Sequence, residues 1–304
     1  MRQIATIGFF DGVHRGHQYL FQYLRDEAIR LGLTPLIVTF REHPRQVLQL
    51  GYQPRLLSSL SERESHLHQY ANALVFSFAD IRSLTAKQFM QLLHEKHDVD
   101  ALLVGYDHRF GSDQIADPEQ LKAIGQQTGV QVIQAPEYEL DENGSPLHIS
   151  STEIRMAVTK GDIERANRLL GYPYTLCGTV VHGRGIGRTI GFPTANIRLN
   201  EPRKLLPPPG VYAVTARWGK DCEQPAILNI GTNPTLGENP ISIELHIPGL
   251  DMDLYDREIA AELLRYLRPE KRFDSLDALR KQIEEDIRLR EDIRQREDIR
   301  LQTI

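Results

Sequence analysis

Two histidines three residues apart close the run Gly8-Phe9-Phe10-Asp11-Gly12-Val13-His14-Arg15-Gly16-His17. The apolar stretch Ile4 to Gly8 before them reads as a strand, and a helical pattern opens after them at Gln18 and Tyr19. A strand-to-helix turn of this kind suits an anion. Glycines at 8, 12 and 16 let backbone approach a ligand closely, and a helix N-terminus presents unpaired N–H groups and the positive end of its dipole to phosphate. His14 and His17 sit at that end, where imidazoles donate to phosphate oxygens. A metal could use the same pair, but no carboxylate or cysteine stands at ligand spacing, so phosphate is the better reading. One such histidine alone would more simply cap the helix; the whole segment favours the phosphate.

A second cluster begins at Gly178-Thr179-Val180-Val181-His182-Gly183-Arg184-Gly185-Ile186-Gly187-Arg188. Gly183, Gly185 and Gly187 with Arg184 and Arg188 describe a flexible, positively charged loop after a strand, although glycine turns are equally common as plain structure. No GKS or GKT follows, so it is not a P-loop.

The elements that must position these residues differ between the halves of the chain. Leu36 to Phe40, Leu74 to Phe78, Ala101 to Gly105 and Val130 to Gln134 are short apolar runs separated by helical patterns. The first helix carries Leu20, Phe21, Leu24, Ala28 and Leu31 as one apolar stripe. Alternation of this kind predicts a doubly wound parallel α/β sheet, whose ligands bind beyond the carboxyl ends of its strands. A helical stretch from about Ser151 to Leu170 ends at Gly171-Tyr172-Pro173, a glycine and proline stop that divides the chain into 1–170 and 171–304. Beyond it Gly178 to Val181, Gly210 to Thr215, Ala226 to Ile230 and Ile241 to His246 are strands without intervening helices, which predicts a small antiparallel barrel. Pro207-Pro208-Pro209 forms a stiff extended lead into one strand. The tail repeats Glu-Asp-Ile-Arg from Glu285, Glu291 and Glu297, a six-residue step that builds no single apolar face. It reads as a solvated helix with pairs such as Asp286 and Arg290 four residues apart.

Composition sets outer bounds. With 304 residues, 40% hydrophobic, 25% charged and a net charge of −5, the chain has the makeup of a two-domain globular protein with no general attraction to nucleic acid or anionic membrane. Its two cysteines, Cys177 and Cys222, suggest neither a disulfide framework nor a zinc site. No apolar run reaches the length of a membrane span, and the N-terminal run is too short for a signal peptide, so a cytoplasmic location is expected.

The segment around His14-Arg15-Gly16-His17 resembles the HxGH signature of the adenylyltransferase superfamily, in the form found in prokaryotic FAD synthetases. Ile149-Ser150-Ser151-Thr152-Glu153-Ile154-Arg155 is similar to the ISSTxxR signature of the same superfamily, and Val104-Gly105-Tyr106-Asp107-His108-Arg109-Phe110-Gly111 to its VGxDFRFG. Ser151 and Thr152 are residue types that cap a helix N-terminus, with Arg155 one turn on. The chain departs from the pattern at Phe9, where asparagine is usual, at Glu42, and at His108, where an aromatic is usual. In the second half, Gly191-Phe192-Pro193-Thr194-Ala195-Asn196, Gly210-Val211-Tyr212-Ala213 and Asn229-Ile230-Gly231-Thr232-Asn233-Pro234-Thr235 resemble riboflavin kinases.

The resemblance implies a bifunctional enzyme using ATP, riboflavin and FMN as small-molecule substrates, with no nucleic-acid or membrane partner. Its kinase would make FMN, and its first domain would join FMN to the adenylyl group of ATP without a protein nucleophile. His14, His17 and Arg155 would then stabilise phosphate charge. Gly8, Phe10, Asp11, Gly12, Gly16, Asp107, Ser151 and Thr152 would line the first nucleotide site, and Gly183, Gly185, Gly187 and Arg188 the second. Thr194 and Asn196 would hold Mg²⁺, which prefers hard oxygen ligands. Glu244 alternates with Ile241, Ile243 and Leu245 on its strand. Most such glutamates face solvent, but Glu244-Leu245-His246 fits the ExH pattern of the kinase's general base. Two other readings share this scaffold: a kinase with a degenerate first domain, and a flavin-binding protein without turnover.

Overall fold

In the computed structural model, β1 (Gln3–Ile7), β2 (Thr34–Phe40), β3 (Asn72–Phe76), β4 (Val99–Val104) and β5 (Gln131–Gln134) form one parallel sheet in the order β3-β2-β1-β4-β5. The structure describes residues 1–49, 51–105, 109–138, 140–142, 145–147, 149–183, 187, 191–220, 222–232 and 241–302. The chain winds outward from β1 through β2 to β3, then returns to place β4 on the other side of β1. The order therefore reverses beside β1, and a crevice opens there beyond the strand ends.

Both faces of this sheet are covered. Ile4, Ile37, Ala101 and Leu103 pack on Phe21, Leu24 and Ala28 of α1 (Arg15–Leu31). The alternate residues Ala5, Val38, Leu102 and Val104 pack on Phe89, Met90 and Leu93 of the helix Ala86–His97, and on Leu121 of the helix Pro118–Thr128. Burial on both faces explains why these strands read as continuous apolar runs rather than alternating ones. In chain order the helices after α1 are α2 (Pro44–Leu48), α3 (Leu60–Leu67), α4 (Phe78–Ile81), α5 (Ala86–His97) and α6 (Pro118–Thr128), and β6 (Leu140–Glu142) pairs with β7 (Ser145–Leu147). Helix α3 starts at a capping box in which Ser59 and Glu62 satisfy each other's backbone N–H groups.

The backbone separates into two compact units, Met1–Ser151 and Thr152–Ile304. Helices α7 (Ser151–Lys160) and α8 (Ile163–Leu170) fall almost wholly in the second unit, ahead of the stop at Gly171. Their contacts give the reason: the Asn167 side chain donates to the Leu263 carbonyl and accepts from Tyr174 N–H, both 2.8 Å, tying α8 to barrel strands.

The second unit is a closed antiparallel barrel in the order β10-β11-β12-β9-β8-β13, from β8 (Tyr174–Val181), β9 (Ala195–Leu199), β10 (Gly210–Trp218), β11 (Cys222–Thr232), β12 (Ile241–His246) and β13 (Glu258–Arg268). Strand β13 carries no strand signal in its sequence. Its composition, Glu-Ile-Ala-Ala-Glu-Leu-Leu-Arg-Tyr-Leu-Arg, favours a helix, yet Ile259, Ala261 and Leu263 alternate into the core and the strand closes the barrel between β10 and β8. Helix α9 (Leu276–Gln302) ends the chain. It is not the wholly solvated tail its sequence suggests, since Asp286 is 2% and Arg290 4% exposed. Both reach barrel strands: Arg290 Nε donates to the Val214 carbonyl at 2.8 Å, and Asp286 binds Arg268. Among the described residues no helix is long and apolar enough to cross a membrane.

Candidate active sites

The turn after β1 holds its shape by local constraint. Gly8 N–H donates to the Val38 carbonyl, extending the ladder one residue past the strand. The chain then takes positive φ at Phe10 (54°), Gly12 (75°) and Val13 (35°), which is unusual for a side chain such as valine and concentrates strain at this turn. Phe10 is buried between His17 and Phe21, with ring centroids 5.1 and 4.9 Å away. A Cβ on Gly8 would stand 2.6 Å from the Phe10 ring, so glycine is required there by contact rather than by φ.

Helix α1 begins at Arg15, earlier than the pattern at Gln18 suggests, and His14 is its N-cap residue. The His14 side chain makes no capping bond; its ring instead stacks on His17 at 3.6 Å between centroids and 20° between planes. A Cβ on Gly16 would approach His14 Nδ1 to 3.3 Å, so the second glycine gives the ring its place. His17 Nδ1 is buried without a hydrogen-bond partner, and burial first, then the neighbouring His14, holds its pKa well below the usual 6.5. The stack stands at the N-terminus of α1, the end of a helix whose dipole favours an anion.

Asp11, expected among the nucleotide contacts, has its carboxylate engaged elsewhere. Buried at 2% exposure, it accepts from Leu57 N–H, Ser58 N–H and the Ser58 hydroxyl at 3.0–3.1 Å, while Gly12 N–H donates to Ser58 Oγ. This network clamps the turn to the segment before α3. Ser151 joins the same turn, but as a donor to the Asp11 carbonyl at 3.1 Å and as the first residue of α7, not as a cap. Thr152 and Arg155 follow on α7 in the second unit. Asp107 and His108 lie outside the described residues.

A cavity of about 640 Å³ opens beside Gly8 and Phe9, beyond the ends of β1 and β2. Phe40, Phe78 and Phe110 wall it, and Arg45, Arg82 and Arg109 supply positive charge. Sequence reasoning missed one residue behind this wall. Arg63 of α3 is 1% exposed, donates to the Phe40 carbonyl at 2.6 Å, and lies 4.1 Å from the centre of the Phe9 ring. Burial lowers its pKa to about 10 against the opposing pull of Asp11 and Glu64. Nothing in the sequence around Arg63 signals this, since its partners are more than 20 positions away.

In the barrel, Glu244 of β12 pairs across the sheet with Asn196 of β9 and with Asn229 of β11, so the three side chains share one face. Thr194, just before β9, donates to Glu244 Oε2 at 3.3 Å. Gly183 abuts Asn196: a Cβ there would stand 2.0 Å from the Asn196 amide nitrogen. A Cβ on Gly187 would clash with the Phe192 carbonyl oxygen and stand 3.4 Å from Thr194 Oγ1. His246 is also drawn in, its Nδ1 2.8 Å from the Pro193 carbonyl and its ring edge-on to Phe192; burial lowers its pKa. Gly185, Arg188 and Arg184 lie outside the described residues.

Two cavities meet at this cluster. One, of about 330 Å³, runs between Thr194 and the loop Leu250 to Tyr255; Tyr255 stacks on His182 at 3.8 Å, beside Gly183. The other, of about 360 Å³, lies between the barrel and α9, and Glu244, His246, Phe273 and Ile283 line it. Thr194 lines both. Among the described residues no group of three His, Cys, Asp or Glu side chains is placed to hold a metal. A cation here would draw instead on Thr194, Asn196 and Glu244, an oxygen donor set.

Known proteins divide along the same line. The FAD synthetase family model matches residues 1–153 and the riboflavin kinase family model residues 170–293. A bifunctional riboflavin kinase/FMN adenylyltransferase of Escherichia coli is 37% identical over 93% of this chain and 90% of its own length. Its namesake in Bacillus subtilis is 33% identical over 94% and 90%. A solved Streptococcus pneumoniae structure described as a macrolide-efflux protein superposes with a TM-score of 0.82 at 31% identity, over 95% of this chain and 94% of that one. With both family models in order and relatives spanning nearly the whole length, this chain belongs to the bifunctional riboflavin kinase/FMN adenylyltransferase family.

Proposed function

We propose that the second unit transfers the terminal phosphoryl group of ATP to the primary hydroxyl of riboflavin, and that the first unit joins the resulting FMN to the adenylyl group of a second ATP. The carrying observation is Thr194, which lines both barrel cavities and donates to Glu244 in the shared wall. ATP takes the cavity along the loop Leu250 to Tyr255 and riboflavin the cavity under α9, which Gly187 and Glu244 line, so donor phosphate and acceptor hydroxyl meet beside Thr194 and Glu244. There Glu244 accepts the hydroxyl proton as the oxygen attacks phosphorus and ADP leaves. Thr194 and Asn196 fit magnesium, which uses few protein ligands when phosphates and water complete its shell. When bound, the ion neutralises phosphate charge.

In the first unit the FMN phosphate attacks the α-phosphorus of ATP and pyrophosphate departs. The substrates already carry nucleophile and leaving group, so the protein contributes placement and charge. His14 and His17 face the phosphates at the start of α1. The aromatic cavity beside Phe9 takes the flavin, with its arginines toward the FMN phosphate. Arg155 and Thr152 are assigned to ATP phosphates on the ISSTxxR resemblance alone.

Riboflavin, ATP and magnesium incubated with the full chain should yield FAD, separated from FMN by chromatography. FMN alone would leave a kinase with an inactive first unit; unchanged riboflavin would refute the kinase, and FAD formation from supplied FMN then decides the first unit. Glu244→Gln should slow FMN formation roughly 10²- to 10⁴-fold, the usual worth of a general base, while supplied FMN is still converted to FAD. Equal loss of both activities in a folded variant would remove Glu244 from the assignment.

A further inference from the structure

The cavity under α9 has one wall that does not belong to the barrel. Leu279, Ile283 and Asp286 of α9 line it, and Arg290 continues the same stripe of the helix, at steps of four, three and four. Asp286 and Arg290 are nearly excluded from water. The Asp286 carboxylate accepts from Arg268 Nε at 2.9 and 3.1 Å and from Nη2 at 2.7 Å. Arg268 Nη1 donates to the Pro269 carbonyl at 3.1 Å, so the guanidinium is largely committed to protein partners although it lines the cavity. Arg290 adds two bonds to β10, at the Val214 carbonyl and the Thr215 hydroxyl.

Stability alone does not call for such a pair, because apolar residues of equal volume serve a buried site as well or better. A planar fork on a carboxylate supplies direction: it is satisfied in one relative placement of strand and helix. A slip of α9 by one residue would turn Asp286 about 100° away from Arg268. We propose that the Arg268–Asp286 pair is a positioning device for the acceptor. By fixing the register of α9 against β13 it sets where Leu279 and Ile283 stand across from Glu244, and so sets affinity for riboflavin without touching the reacting hydroxyl. The proposal rests on the assignment of this cavity to riboflavin.

The test is steady-state kinetics of the full chain with Asp286→Asn, which keeps shape and removes charge, and with Arg268→Lys, which keeps charge and removes the fork. Both variants should raise KM for riboflavin about tenfold while KM for ATP stays within about twofold, the signature of lost binding on one substrate only. FAD formation from supplied FMN should be unchanged, and Asp286→Glu should recover part of the riboflavin affinity. An unchanged riboflavin KM in a folded variant would overturn the proposal, as would a parallel rise in both KM values, which marks general damage to the barrel. Failure of the unmodified chain to phosphorylate riboflavin would refute the functional assignment itself and is read in the same assay.

Discussion

Burial, and then the neighbouring His14, make protonation of His17 costly in the free protein. Burial disfavours charge on His17, so the folded chain binds that proton less readily than the unfolded chain, whose histidine titrates near 6.5. The sign follows: stability is full above about pH 6.5 and falls as pH drops toward the lowered folded value, because only the unfolded state gains the proton there. His17→Gln should flatten the pH dependence of the first unit's thermal transition on the acid side. His246, also lowered by burial, should leave an acid slope of the second unit intact. Melting curves over a pH series check this, and an unaltered slope in the variant would assign the effect to other groups. At this scale the sequence was legible where contacts are local: the turn between strand and helix that carries Gly8, His14, Gly16 and His17 stands where the pattern puts it. It was silent on Arg63 and on the carboxylate partners of Asp11, because the partners of both lie more than 20 positions along the chain.

Elements were readable where period and composition agreed. The parallel strands and the apolar stripe of α1 are of that kind, and so are the prolines leading into β10. Strand β13 resisted because its residues favour a helix and only its neighbours β8 and β10 make it a strand. Helix α9 resisted because its docking uses Asp286 and Arg290, residue types that normally signal solvent. The β1 turn gives a prediction at this scale. Gly8→Ala forces a Cβ to 2.6 Å from a Phe10 ring already wedged by His17 and Phe21. Overpacking of this kind costs about 1–3 kcal/mol. FAD formation should drop sharply in the variant while riboflavin phosphorylation continues; a variant with full FAD synthesis would show that the turn tolerates displacement.

For the whole molecule, the consequence of two compact units with separate phosphate-handling clusters is separable loss. His14→Ala combined with His17→Ala should abolish conversion of FMN to FAD and spare FMN formation, the converse of Glu244→Gln. Product analysis of both variants side by side reads the two sites independently, and loss of FMN formation in the histidine variant would contradict the division. The formal charge of −5 gave no hint of anionic substrates because the relevant cations and helix ends are local.

Thr194 lines both barrel cavities, and its hydroxyl donates to Glu244. With ATP and riboflavin in these cavities as proposed, a shared wall of one side chain lets both substrates be bound at once. Transfer is then a single handover inside a ternary complex, with no phosphorylated form of the protein in between. Any change of bulk at position 194 is felt by nucleotide and vitamin together, so this residue cannot be tuned toward one partner without altering the enzyme's grip on the other.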